Sequence, residues 1–295
     1  MTRDMDRNLS MSAGELPTDH QFNLSDFALF LSVMKNKRAY ECTLSIILDE
    51  TDVELEEVKV EQVILNRSGK RAIRLDAWAK DNNNRQFNME MQNNSKNDDI
   101  PKRSRFYQGM LDTPILKAGK ETKYRELPST MIIFITQEDI FKQDLAKYTF
   151  TEQCEEIAGL HLEDGTTKIF LNMTSKNGSK ELVSLLQYMK ETTLENPEIL
   201  VKDPRILELD HIVTEVKESE EWEAVQMNFM EICMEKGKMA GKREDIIELL
   251  EELGGIPEDL QEKIIKETDL DKLKMWIRMS AKADSIDDFR RKTGI

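Results

Sequence analysis

Two short segments constrain this chain more than any other stretch: Ala72-Ile-Arg-Leu-Asp76-Ala-Trp78 and Gln86-Phe-Asn-Met-Glu90-Met-Gln92. Both alternate as strands do, and Asp81-Asn82-Asn83-Asn84 supplies turn chemistry between them. Side chains of a strand alternate between its faces, so Asn88, Glu90 and Gln92 share one face and Phe87, Met89 and Met91 the other. Arg74, Asp76 and Trp78 share a face by the same rule. An antiparallel hairpin can therefore bring Asp76 close to Glu90. Two carboxylates on one sheet face with a further polar group beside them could hold a hard divalent cation, the layout a metal-dependent phosphodiesterase uses. The same spacing also fits the solvated face of an ordinary hairpin, and spacing alone leaves that reading open.

Charge sharpens the choice. The chain is acidic, with 57 Asp and Glu against 42 Lys and Arg and a net charge of −15, which at first argues against a nucleic-acid partner. The distribution is uneven. Residues 65–125 carry 14 Lys or Arg against 7 Asp or Glu, leaving a net of −22 on the rest. The basic stretch contains both candidate carboxylates, a setting suited to a polyanion held over a metal ion. Chance clustering on a solvated surface is the competing explanation.

Other classes are narrowed by what the sequence lacks. It has no apolar run of about 18 residues, so no transmembrane helix is expected, and no apolar h-region near the start, so no secretory signal. Cys42, Cys154 and Cys233 are odd in number and far apart, which suggests a reducing, cytoplasmic compartment. No CxxC or HxxxH spacing points to zinc. His20, His161 and His211 are isolated, so surface or core-edge roles are expected for them.

Along the chain, residues 1–22 read as a disordered polar leader. Helices are expected near 25–35 and 37–48, then a strand within 53–63, then the two segments above. Residues 93–100 read as a loop, and Pro101 opens a helix carrying Lys102, Arg103, Arg105 and Tyr107. Pro114 kinks that helix or starts a new turn. Met131-Ile-Ile-Phe-Ile135 suits a strand buried on both sides. A hairpin-like region at 148–173 turns at Asp164-Gly165. From Lys180 the pattern is helical: 181–190, a long charged helix over 205–235 interrupted by Gly237 and Gly241, then short helices at 243–253, 257–267 and 269–283. Met227, Met230 and Met234 read as helix packing rather than a groove.

Helices, a three-strand meander, a crossover helix and an added strand predict an α/β (α+β) fold, a mixed central sheet flanked by helices. The domain over 23–204 would be followed by an all-helical C-terminal extension over 205–295.

That order, with Asp on the second strand and Glu-x-Gln on the third, resembles the PD-(D/E)XK nuclease superfamily. More narrowly it resembles the PD-(D/E)XK nuclease family transposases, the recombination-promoting nuclease (Rpn) group of bacterial proteins. The resemblance is carried by IRLDAWAKD (73–81), FNMEMQ (87–92), KRSRFYQGMLD (102–112), KAGKETKYREL (117–127), MIIFITQEDIF (131–141), YTFTEQCEE (148–156) and LEDGTTKIFLN (162–172). Each motif is weak; the ordered set, over about 25–235, is fairly specific.

The resemblance implies a restriction-endonuclease-like core and a DNA endonuclease using Mg2+ (or Mn2+). It implies that Asp76, Glu90 and the backbone carbonyl of Met91 ligate the ion. Gln92 would stand where the family usually has Lys and would orient water. Lys102, Arg103, Arg105 and Tyr107 would contact DNA, with a structural role for Arg103 and Tyr107 equally open. Gln carries no charge, so Lys80, Lys102 or Arg103 would have to supply it, or the chemistry is slow. Glu41, on an early helix, is the candidate for a completing carboxylate. The partner implied is DNA, with no membrane, and a homo-oligomer through the C-terminal helices is left open. Two further readings stand beside the nuclease: a non-catalytic relative that binds proteins through an acidic helical tail, and a tail that closes over the site as a DNA mimic.

Overall fold

A computed structural model describes residues 21–51, 53–65, 72–93, 98–116 and 123–295. These fall into two compact units, 21–223 and 224–295. The expected leader lies outside the described residues apart from Gln21 and Phe22, and Phe22 packs edge-on against Trp222 with ring centroids 5.2 Å apart.

The first unit opens with α1 (Phe27–Met34) and α2 (Lys37–Leu48), continues through β1 (Leu55–Ile64), β2 (Ile73–Asp81) and β3 (Gln86–Gln92), and crosses over by α3 (Ile100–Asp112) to β4 (Thr130–Thr136). Then come β5 (Lys147–Phe150), β6 (Thr166–Asn172), α4 (Lys180–Lys190) and α5 (Pro204–Lys217). The six strands form one sheet in the order β1-β2-β3-β4-β6-β5. The meander β1-β2-β3 is antiparallel, β3-β4 and β4-β6 are parallel, and β5 returns antiparallel on β6.

The apolar run in β4 has the burial expected of a central strand, with Ile132, Ile133, Phe134 and Ile135 fully buried. Helix α3 packs Tyr107, Met110 and Leu111 into a cluster with Trp78, Ile132, Phe134 and Phe170. Burial of each of Met110 and Leu111 is worth about 1.5–3 kcal/mol, which fixes α3 over the sheet face that carries Glu90. Against the strands β2 and β3, α2 sets Tyr40, whose hydroxyl donates to the carbonyls of Ala77 (3.2 Å) and Phe87 (3.3 Å).

Several expectations need correction. The helix expected over 205–235 is two helices. α5 ends at Lys217, and α6 (Glu220–Glu251) restarts where Ser219 Oγ accepts the Trp222 N–H at 3.2 Å. Gly237 and Gly241 lie inside α6 and do not interrupt it, because a helical glycine costs only about 1 kcal/mol when the hydrogen-bond ladder runs on through it. The segment read as a helix over 243–253 is the end of α6. Nor does the first unit end at 204. α5 belongs to it, tied to α2 by Arg38, whose guanidinium donates twice to Glu208 at 2.7 Å.

The Asp164-Gly165 turn does not join β5 directly to β6. It leads into β6 after a long excursion from Phe150, with Gly165 at φ 79° and its carbonyl accepting the Thr130 N–H. Pro114 follows the end of α3 in a turn closed by the Ile115 N–H and the Asp112 carbonyl. Met227 and Met234 stay 68% and 57% exposed, not packed.

The second unit is α6 from residue 224 onward with α7 (Glu258–Lys266), α8 (Leu270–Ser280) and α9 (Ile286–Thr293). They share a core of Ile246, Leu250, Leu260, Ile264, Leu273, Trp276 and Phe289. Gly254, at φ 138°, ends α6 as the Gly-Gly-Ile-Pro punctuation predicts. α9 was not anticipated; its signal is Ser285, whose Oγ accepts the Asp288 N–H as an N-cap.

Candidate active site

The turn between β2 and β3 sets the register. Asp81 is buried; its Oδ1 accepts the N–H groups of Asn83 (2.9 Å) and Arg85 (2.7 Å), and its Oδ2 accepts Arg85 Nε at 2.6 Å. Asn84 takes φ 62°, a left-handed conformation that Asn tolerates. Pairing then runs from Lys80↔Gln86 to Ala77↔Met89. One step further, side-chain oxygens take the place of main-chain carbonyls as acceptors. The Asp76 N–H donates to Glu90 Oε1 at 3.0 Å, and the Met91 N–H donates to Asp76 Oδ2 at 3.1 Å. Each carboxylate thus satisfies a buried N–H, and the two acids are locked side by side.

Glu90 is 0% and Asp76 4% exposed. Burial pushes the Asp76 carboxyl well above the usual carboxylate range, and the neighbouring Glu90 charge pushes it further; Arg103 and the Met91 N–H work the other way. Burial also raises Glu90, opposed by Arg103, the Asp76 N–H and Asn88.

Arg103 is the cation of the site. Its Nη2 donates to Glu90 Oε2 at 2.7 Å, Nη1 to Gln92 Oε1 at 2.8 Å and to Asp98 Oδ2 at 3.3 Å, and Nε to the Tyr107 hydroxyl at 3.0 Å. The guanidinium lies over the rings of Tyr107 and Phe134, 4.9 and 5.4 Å from their centroids. Because Arg103 and Tyr107 are four residues apart on α3, both meet the sheet together.

The structure therefore brings Asp76, Glu90, Gln92, Arg103 and Tyr107 into one cluster. Lys102 is turned outward, 74% exposed and paired with Asp99 at 2.7 Å, and Arg105 is exposed on the same helix. Lys80 pairs with Glu56 at 2.9 Å. Of the three candidate cations for the missing lysine, Arg103 is the one that touches the pair, through Glu90. Met91 enters the site through its N–H; the expectation concerned its carbonyl. Glu41 accepts the Leu55 N–H at 3.0 Å and so anchors the start of β1. The basic stretch is largely internally neutralised where it is described, with Arg74 on Glu61 and Arg85 on Asp81 and Glu50.

The residue that sequence reasoning did not single out is Asn88. Its Nδ2 donates to Glu90 Oε1 at 3.0 Å, while its buried Oδ1 has no hydrogen-bond partner among the described residues. Its position two residues before Glu90 on the same strand face was the available signal. Among the described residues no group of three His, Cys, Asp or Glu is poised around a metal. The donor set still fits a hard divalent cation: two adjacent desolvated carboxylates, one of them held by a guanidinium, with an amide oxygen unpartnered among the described residues on the residue that clamps Glu90.

A family model described as PD-(D/E)XK nuclease family transposase matches residues 25–239. Neither a curated protein nor a solved structure matches the chain. The matched span contains the six-stranded mixed sheet, its flanking helices and every residue of the cluster around Glu90.

Proposed function

This chain belongs to the PD-(D/E)XK nuclease family of transposases, whose core is restriction-endonuclease-like, and from that membership we propose that it is a metal-dependent DNA endonuclease of the Rpn group, cutting phosphodiester bonds during recombination or transposition. The observation that carries this reading is the interlocked Asp76–Glu90 pair: two buried carboxylates whose mutual repulsion a divalent cation would relieve.

Asp76 and Glu90 would hold Mg2+ or Mn2+, with the Met91 carbonyl as a further ligand. A cation bound there supplies Lewis-acid polarisation of a phosphoryl oxygen and makes water more acidic. Arg103 supplies the positive charge that Gln92 lacks and faces the developing negative charge on phosphate. Gln92, with its Oε1 on Arg103, positions that guanidinium beside the water it would orient. Tyr107 fixes Arg103 from the other side. Lys102 and Arg105, exposed on α3, hold flanking phosphates and so set register rather than sequence.

Among the described residues no helix is long and apolar enough to cross a membrane. We place the activity in the bacterial cytoplasm, where DNA is at hand and free thiols such as Cys42 and Cys154 persist. The deciding experiment is plasmid cleavage with Mg2+ and with Mn2+ by the wild type, Asp76→Ala and Glu90→Ala. Loss of cutting in both folded variants supports the assignment; cutting unchanged in both removes it.

One observation favours a second reading. Arg103 satisfies Glu90 as a purely structural partner would. In that case the fold persists in a non-catalytic relative that associates with other proteins, or with itself, through its C-terminal helices. An oligomer on gel filtration with no cation uptake by calorimetry would select it.

A further inference from the structure

The four carboxylate oxygens of the Asp76–Glu90 pair are not equivalent. Glu90 Oε1 carries two donors, the Asp76 N–H and Asn88 Nδ2, both belonging to the β2-β3 hairpin. Asp76 Oδ2 carries the Met91 N–H, and Oδ1 accepts no hydrogen bond from any described residue. Glu90 Oε2 is held by Arg103 Nη2, a long side chain on a different element. A cation that uses both carboxylates thus meets one open oxygen and one that a movable group already holds.

We propose that Arg103 is the resident counter-ion of Glu90 and gates the cation site: a divalent ion reaches Glu90 Oε2 by displacing the guanidinium, which transfers to Asp98. The inference rests on the reading of the Asp76–Glu90 pair as a cation site. Asp98 is suited to receive the arginine. It is a partly exposed carboxylate already 3.3 Å from Nη1, long enough to shorten. Gln92 Oε1 and the Tyr107 hydroxyl keep their hold during the exchange. Arg103 thus trades one carboxylate for another, and its freed Nη2 still carries positive charge beside the site, where a phosphate oxygen would arrive. Gln92 then does what a lysine could not. It accepts a hydrogen bond from the guanidinium, where an ammonium would repel it.

The test is calorimetric titration of the full chain with Mn2+, in the absence of DNA. Arg103→Gln should bind about tenfold tighter than wild type, and Asp98→Asn should bind several-fold weaker. Lys102→Gln and Arg105→Gln remove the same charge from exposed positions of α3 and should change affinity less than about threefold, because exposed charges are screened. If Arg103→Gln does not fold, Arg103→Lys replaces it: an ammonium lacks the planar fork that spans Glu90 and Gln92, so this variant should also bind more tightly. Wild-type binding with no gain in Arg103→Gln or Arg103→Lys overturns the gate and leaves the cation site standing. Failure of both wild type and Arg103→Gln to take up Mn2+, with cooperative melting in each, overturns the cation site as well.

Discussion

Asp76 and Glu90 meet through the main chain: the Asp76 N–H donates to Glu90 Oε1 at 3.0 Å while the Asp76 carboxylate takes the N–H of Met91, the residue after Glu90, at 3.1 Å. The consequence is that two acids are held together by strand geometry, whether or not anything offsets their charge. This arrangement is unfavourable for the fold and useful for binding a cation, and the variants below separate the two.

Asp76→Asn should melt a few degrees above wild type in chelator, because the amide keeps an oxygen for the Met91 N–H and removes the buried charge. The sign follows from the pKa. The folded carboxyl is raised above its unfolded value, so it contributes favourably below its unfolded pKa, and this contribution is lost as pH rises through the folded one. Thermal melting from acid to neutral pH should show a shallower loss of stability in Asp76→Asn. The same variant should bind no Mn2+. A lower melting temperature in chelator would contradict this account.

Glu90→Gln should behave in the opposite sense. Arg103 is only 16% exposed, and removing its main anionic partner leaves a desolvated cation, a loss on the order of 3 kcal/mol. Urea denaturation of the two single variants and of Glu90→Gln/Arg103→Gln would measure the coupling. The double variant should be less destabilised than the two single losses added together.

The C-terminal unit should be acid-sensitive in a narrow window. Asp288 is held down to about 2 by Lys292, the Asp284 N–H and Arg291. A depressed folded pKa contributes stability that is present above the unfolded value and is lost as pH falls through the folded one. Scanning calorimetry between about pH 4 and pH 2 should show that loss, and Asp288→Asn should reduce the dependence across that interval.

Lys102→Ala/Arg105→Ala should weaken DNA binding at every sequence tested and reduce the slope of log K against log salt by about 2. With DNA at saturation the cleavage rate should stay at the wild-type value. A fall in that rate would move these residues from the DNA-holding surface into the chemistry.

That a hairpin can bring the two acids together was legible from alternation in IRLDAWAKD and FNMEMQ, and β4 from its apolar run. The turn was legible in Asp81 and the asparagines. Each depends on residues close together in the chain, where strand period and turn chemistry act. Helix breaks were less legible. Gly237 and Gly241 looked like interruptions, yet the break falls at Ser219, whose hydroxyl restarts the helix.

Choosing among Lys80, Lys102 and Arg103 was beyond local pattern, because all three sit near the acids in sequence. The choice was made when Tyr107, Met110 and Leu111 packed against Phe134 and Trp78 and turned Arg103 inward while leaving Lys102 and Arg105 in water. Gln92 illustrates the same division. Its place in the motif was plain from the strand, but that its carbonyl grips a guanidinium depends on a helix eleven residues on. What the order of residues dictated is thus the face each acid takes on its own strand, from the strand period, and the turn whose register sets those two faces together. Which charge answers them came from long-range burial, which alone sets how a helix lies across a sheet.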